Sequence, residues 1–132
     1  MVAELVVRFK DNRRAINSIL LGANQSNLTA IGNDFDFTDI FVRELSALYK
    51  DGDLVIILST SGNSENTIKV ANFVRDKNSK ALAILGKGGG KLKEITENII
   101  IPSQSTALIQ ELTILIGHTL CQEIEKKVLN KD

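Results

Sequence analysis

The chain has 132 residues, 43% of them hydrophobic, with 16 basic and 16 acidic side chains and a single cysteine. That length supports one core, the balanced and scattered charge gives no electrostatic case for nucleic acid or an acidic membrane, and the lone Cys121 excludes an internal disulfide and fits a reducing compartment. No apolar run reaches the roughly 20 residues that span a bilayer, and the first ten residues carry an acid and too short an apolar stretch for a signal peptide, so a cytoplasmic protein is expected.

In chain order, residues 3–9 read as a helix fragment, followed by the polar, basic turn Asp11-Asn12-Arg13-Arg14. Apolar bursts at 18–23, 54–59, 80–85 and 98–102 read as strands. Between them lie stretches with helical spacing. The span 39–48 places Ile40, Phe41, Leu45 and Leu48 on one side, and 64–76 turns Ile68, Ala71 and Val74 inward. Residues 86–91, Gly-Lys-Gly-Gly-Gly-Lys, lack the spacing and hydroxyl of a P-loop and read as a turn leading to a short helix over 92–96, with backbone contact to a ligand left open. The last element, 106–129, carries Leu108, Ile109, Leu112, Leu115, Ile116, Leu120, Ile124 and Val128 around a wide arc. One sheet face does not need so broad an apolar surface, so subunit contact is expected, with a charged tail from Glu123 onward fraying into solvent. Alternating strands and helices predict a parallel sheet with right-handed crossovers. No strand opens the chain as a doubly wound sheet would require, so the chain is expected to lack its beginning.

The richest stretch is Asp53 to Ser64. An aliphatic run ends abruptly in Ser59, Thr60, Ser61, Gly62, Asn63 and Ser64. Four hydroxyls can donate, Gly62 permits positive φ, and the helix beginning near Ser64 aims free N–H groups and its positive dipole end at the same spot. A phosphate ester fits that array without an arginine. The alternative is a serine-rich turn with Ser64 as an ordinary N-cap.

The residues together resemble the sedoheptulose-7-phosphate isomerases (phosphoheptose isomerases) of the SIS domain superfamily, over nearly the whole chain. The marks are Ala3-Glu4-Leu5 with Arg8-Phe9, Leu28 to Asp34, Gly52-Asp53, the serine loop, Gly88 to Lys91, and Ile109-Gln110-Glu111 with Gly117-His118. The serine loop alone marks the superfamily; the ordered set marks the heptose enzymes. The resemblance implies a three-layer α/β sandwich, a Rossmann-like parallel sheet flanked by helices, here a single SIS domain over 1–132 without the family's first helix, first strand and Gly-Asn-Gly-Gly-Ser loop. It also implies a homo-oligomer, tetramer or dimer, with sites at subunit interfaces.

The implied reaction is aldose–ketose isomerisation of sedoheptulose 7-phosphate to D-glycero-D-manno-heptose 7-phosphate through an enediol, toward lipopolysaccharide or another surface polysaccharide. That chemistry needs a base beside C–H and an acid beside the carbonyl. The resemblance gives these roles to Glu4 and His118. It makes Asn33, Asp34 and Gln110 substrate contacts, and Ser59, Thr60, Ser61 and Ser64 the phosphate site. It further implies zinc held by Glu4, Gln110 and His118. Eight helical residues between Gln110 and His118 span about 12 Å, and amides are weak zinc ligands, so those two alone do not make a metal site in one subunit. The family's metal-ligating histidine one turn before the glutamate has no counterpart here. Cys121 reads as a buried small hydrophobe. A non-catalytic SIS module that binds a phosphosugar or a protein partner is the second reading.

Overall fold

The two aliphatic runs at the middle of the chain become adjacent parallel strands. In this computed structural model, which describes residues 1–130, β1 (Leu54–Ser59) pairs with β2 (Lys80–Leu85), Val55 beside Ala81 and Ser59 beside Leu85. β3 (Glu97–Ile100) lies along the other edge of β2, Ile84 beside Ile99, giving a three-stranded parallel sheet in the order β1-β2-β3. Parallel neighbours need a crossover, and α4 (Glu65–Asp76) supplies it between β1 and β2. β2 reaches β3 through the glycine stretch and a 3-10 turn, Lys91–Glu94, where a short helix over 92–96 was expected.

The period-2 alternation sends Val55, Ile57, Ala81, Ala83 and Leu85 to one face. There they form one buried cluster with Leu45 of α3 (Ile40–Leu48), with Ile68, Val70, Ala71 and Val74 of α4, and with Leu92. The opposite face is open at β1, where Leu54 and Leu58 are 55% and 51% exposed. α3 follows a 3-10 turn, Phe37–Asp39, and buries Ile40 and Leu45 as expected, whereas Leu48 is exposed.

One sequence expectation fails in this region. Residues 18–23 form no strand: Ile19 and Leu20 are exposed, and the Gly22 N–H donates to the Glu44 carboxylate at 2.6 Å rather than to a neighbouring strand. Residues 25–34, for which the sequence pattern gives no element, form a helix, α2 (Gln25–Asp34). Its start is fixed by Asn24, whose side chain accepts from the N–H groups of Ser26 and Asn27 at 3.0 and 3.2 Å. Only Ile31 of α2 is buried, so the helix carries no clear apolar stripe. β3 ends before Pro102, which has no N–H to give a ladder.

The chain divides into two compact units, residues 21–110 and residues 1–20 with 111–132. The first holds the sheet and α2 to α4. The second holds α1 (Val2–Val6) and most of α5 (Thr106–Leu129). α5 has the bounds its spacing predicts. Its charged end does not fray from Glu123: the helix continues to Leu129 and Glu125 is buried, while residues 131 and 132 lie outside the described residues. Among the described residues no helix is long and apolar enough to cross a membrane.

Candidate active site

β1 ends at Ser59 and α4 begins at Glu65, leaving the serine loop as a tight turn. Two of its hydroxyls hold the turn itself. Ser59 Oγ accepts from the Gly62 N–H at 3.0 Å, and Ser61 Oγ accepts from the Asn63 N–H at 3.2 Å. Each keeps its own proton to donate. Gly62, at φ +66°, lies directly against the backbone of Gly89, so a Cβ there would overlap the Gly89 carbonyl. The fit is mutual: a Cβ on Gly90, at φ +53°, would come within 2.5 Å of the Ser61 carbonyl oxygen and 2.7 Å of Asn63 Oδ1. Gly62 O accepts from Leu92 N–H and Asn63 Oδ1 from Lys91 N–H, both at 3.0 Å. The glycine stretch read as a plain turn is therefore the brace of the serine loop, and Asn63 is a bracing residue that the sequence did not single out. Adjacent glycines at positions where a side chain cannot fit were the available signal.

Ser64 occupies the N-cap position of α4, yet its hydroxyl makes no capping hydrogen bond. The Ser64 carbonyl accepts instead from Thr67 Oγ1 at 2.7 Å and from the N–H groups of Thr67 and Ile68. An ordinary cap would bind its hydroxyl to the helix; this one does not, and it stands beside the positive end of α4. Glu65, in the first turn, is matched by Lys91, whose Nζ lies 2.9 Å from Glu65 Oε1.

In the other unit, α1 lies against α5. A Cβ on Gly117 would come within 3.0 Å of the Met1 side chain, so the glycine permits the approach. His118 follows, its ring 5.4 Å from that of Phe9. One turn on, the buried Cys121 donates its S–H toward the Met1 carbonyl at 3.9 Å. Burial pushes the Cys121 thiol up, the N-terminus pulls it down, and the Glu4 carboxylate pushes it up again. Glu4 on α1 and His118 on α5 thus lie in the same unit, with the Glu4 charge felt at Cys121, which is the small buried hydrophobe expected.

The remaining candidates stand apart. Asn33 and Asp34 are exposed at the end of α2, where Asn33 Nδ2 donates to Asp34 Oδ1 at 2.8 Å; no hydrogen bond among the described residues joins them to the serine loop. Gln110 is exposed within the regular part of α5, so its axial distance of about 12 Å from His118 is not relieved by an irregular start. Among the described residues no three His, Cys, Asp or Glu side chains gather where they could hold a metal ion. Zinc sites use three or four strong donors; of the residues expected to hold zinc, Glu4 and His118 are strong donors and Gln110 is a weak one.

The SIS domain family matches residues 1–86, a span that includes β1, the serine loop and α4. Phosphoheptose isomerases of Nitratiruptor and Akkermansia muciniphila are 42% and 41% identical to this chain, over 96% and 97% of it and 68% of each relative. A solved phosphoheptose isomerase from Francisella tularensis superposes at a TM-score of 0.89 with 31% identity, over 95% of this chain and 68% of that one. One from Neisseria gonorrhoeae gives 0.77 with 35% identity, over 80% and 61%. The chain belongs to the phosphoheptose isomerase family.

Proposed function

We propose that the chain isomerises sedoheptulose 7-phosphate to D-glycero-D-manno-heptose 7-phosphate, a step toward the activated heptose of a surface polysaccharide. The observation that carries this reading is the uncapped Ser64 hydroxyl in the braced serine loop, together with the family's isomerase assignment. The phosphate takes hydroxyl donors from Ser59, Thr60, Ser61 and Ser64 and the free N–H groups at the start of α4. Glu4 removes a proton from C1 while His118 protonates the carbonyl oxygen at C2, giving the enediol. Return of a proton to C2 and loss of the C1 hydroxyl proton complete the aldose.

Asn33, Asp34 and Gln110 are proposed as contacts to the sugar hydroxyls. Zinc would find Glu4 and His118 in this chain with Gln110 as a weak amide donor, and metal content of protein purified without chelator tests for it. The open arc of α5, with Ile114 and Leu115 both 60% exposed, supports a homo-oligomer, dimer or tetramer, read out by light scattering. The proposed setting is the cytoplasm, where sugar phosphates are made.

The test is proton NMR of sedoheptulose 7-phosphate in heavy water with the purified chain, with and without zinc. Aldose signals, or deuterium entering at C1 or C2, and their loss in Glu4→Gln, are expected. Tight sugar-phosphate binding with no exchange would describe a binding module instead.

A further inference from the structure

Glu125 is a buried carboxylate on α5 that neither phosphate binding nor proton transfer uses. Its Oε1 accepts from the Phe9 N–H at 3.0 Å, and its Oε2 from the N–H groups of Lys10 and Asp11 at 2.9 and 3.2 Å. Arg13 Nε lies 3.3 Å from Oε1, with the side chains of Arg13 and Glu125 only 0% and 3% exposed. Burial pushes the Glu125 carboxyl up, but the three N–H groups and the arginine outweigh it and hold it below its ordinary value of 4.5.

Arg13 passes the connection on. Its Nη2 donates to the Glu4 carbonyl at 2.5 Å, and its Nη1 to the carbonyls of Leu5 and Arg14 at 2.8 and 3.0 Å. Carbonyls at the end of a helix have no partner within it, and a cation there also suits the helix dipole. One carboxylate therefore fixes two things. Through Arg13 it holds the backbone of Glu4, and through the Phe9 N–H it holds the ring that lies on His118.

Stability alone does not explain this choice. A buried ion pair gains little over an apolar pair of the same volume, because desolvation offsets the attraction. What the ionic version adds is direction: six backbone hydrogen-bonding partners at fixed angles rather than an adaptable contact. We propose that Arg13 and Glu125 are positioning residues that hold Glu4 and His118 in register for proton transfer, a role that rests on the assignments of Glu4 and His118 made above.

His118 is the only histidine in the sequence, so its ring protons give one resolved set of NMR signals. In the wild-type chain the Phe9 ring should displace them from free-histidine positions. Glu125→Ala should return them toward those positions, and isotope exchange at C1 or C2 should fall about a hundredfold at saturating sugar phosphate, with KM changed by less than about threefold. Arg13→Lys, which keeps the charge but loses the planar fork, should move both readouts the same way by less, and decides the matter if Glu125→Ala does not fold. A folded Glu125→Ala chain with wild-type His118 signals and wild-type exchange would overturn the proposal. Glu4→Gln separates the two layers: lost exchange with unmoved His118 signals is expected. Retained exchange would remove the role given to Glu4, and a signal displaced by Glu125→Ala would then mark a purely structural clamp.

Discussion

The serine loop and the pairing of α1 with α5 both immobilise polar groups, with opposite materials. The loop is held mainly by hydroxyls, the Asn63 amide and backbone from residues 59–67 and 86–92, with its hydroxyls at half-exposed or exposed positions and the one ion pair, Lys91 with Glu65, on the surface. The helix pairing uses a buried charge pair whose partners lie far apart in the chain, Phe9 and Glu125 being 116 positions apart. Under the assignments proposed above, the loop that takes the phosphate gains from hydroxyls that reorient, and the pair that hands a proton over gains from being held by charges that do not. Binding and chemistry would then place different demands on rigidity, each met in a different unit.

The contrast can be broken by substitution. The largest effect is expected at the chemistry: Glu4→Gln should lower isotope exchange by about 10²–10⁴-fold while leaving sugar-phosphate affinity, read by calorimetry, close to wild type. Next comes Gly62→Ala, which forces a side chain into positive φ and onto the Gly89 carbonyl. Strain of that kind costs about 1–3 kcal/mol, and denaturant melts should report it together with weakened phosphate binding. Ser61→Asp should abolish binding by charge repulsion without that loss of stability.

Acid sharpens the comparison further, because a carboxylate accepts the amides of one support and hydroxyls accept those of the other. The Glu125 carboxyl is depressed below 4.5 in the folded chain, so its contribution is complete above that value and is lost as pH falls through the lower folded value. Amide-exchange protection at Phe9, Lys10 and Asp11 should collapse in that window, while the Gly62 and Asn63 amides, bonded to hydroxyls, should keep theirs. The smallest effect is expected at Ser64. Removing a true capping hydroxyl costs about 0.5–2 kcal/mol. Ser64→Ala should instead change stability by less than about 0.5 kcal/mol, yet weaken phosphate binding about tenfold, as loss of one hydrogen bond to a charged group does.

What could be read from the sequence follows the same division. β1, β2, α4 and α5 were legible because their signals are local: aliphatic runs, hydroxyl punctuation and helical spacing of Ile68, Ala71 and Val74. The serine loop was legible for the same reason. α2 was not, since its start depends on one side chain, Asn24, and its apolar face is a single buried residue, Ile31. The burst at 18–23 misled because Ile19 and Leu20 are apolar yet exposed in the described chain. Asn63, Arg13 and Glu125 carry no local signal at all. Each acts on a group distant in sequence, and a charged residue in a charged tail reads as solvated until its partners are seen. The spacing of Gln110 and His118 was fully legible, because a regular helix fixes it.

The interlock of Gly62 with Gly89 and Gly90 sets how this site can be inherited or transplanted. A side chain added at Gly62 or Gly90 would overlap the other loop, so such a change in one calls for a matching shift in the second. Residues 59–64 grafted alone onto another parallel sheet would bring the hydroxyls without their mould. The transferable unit is β1, α4, β2 and the turn through Leu92, residues 54–92, carried as a single piece.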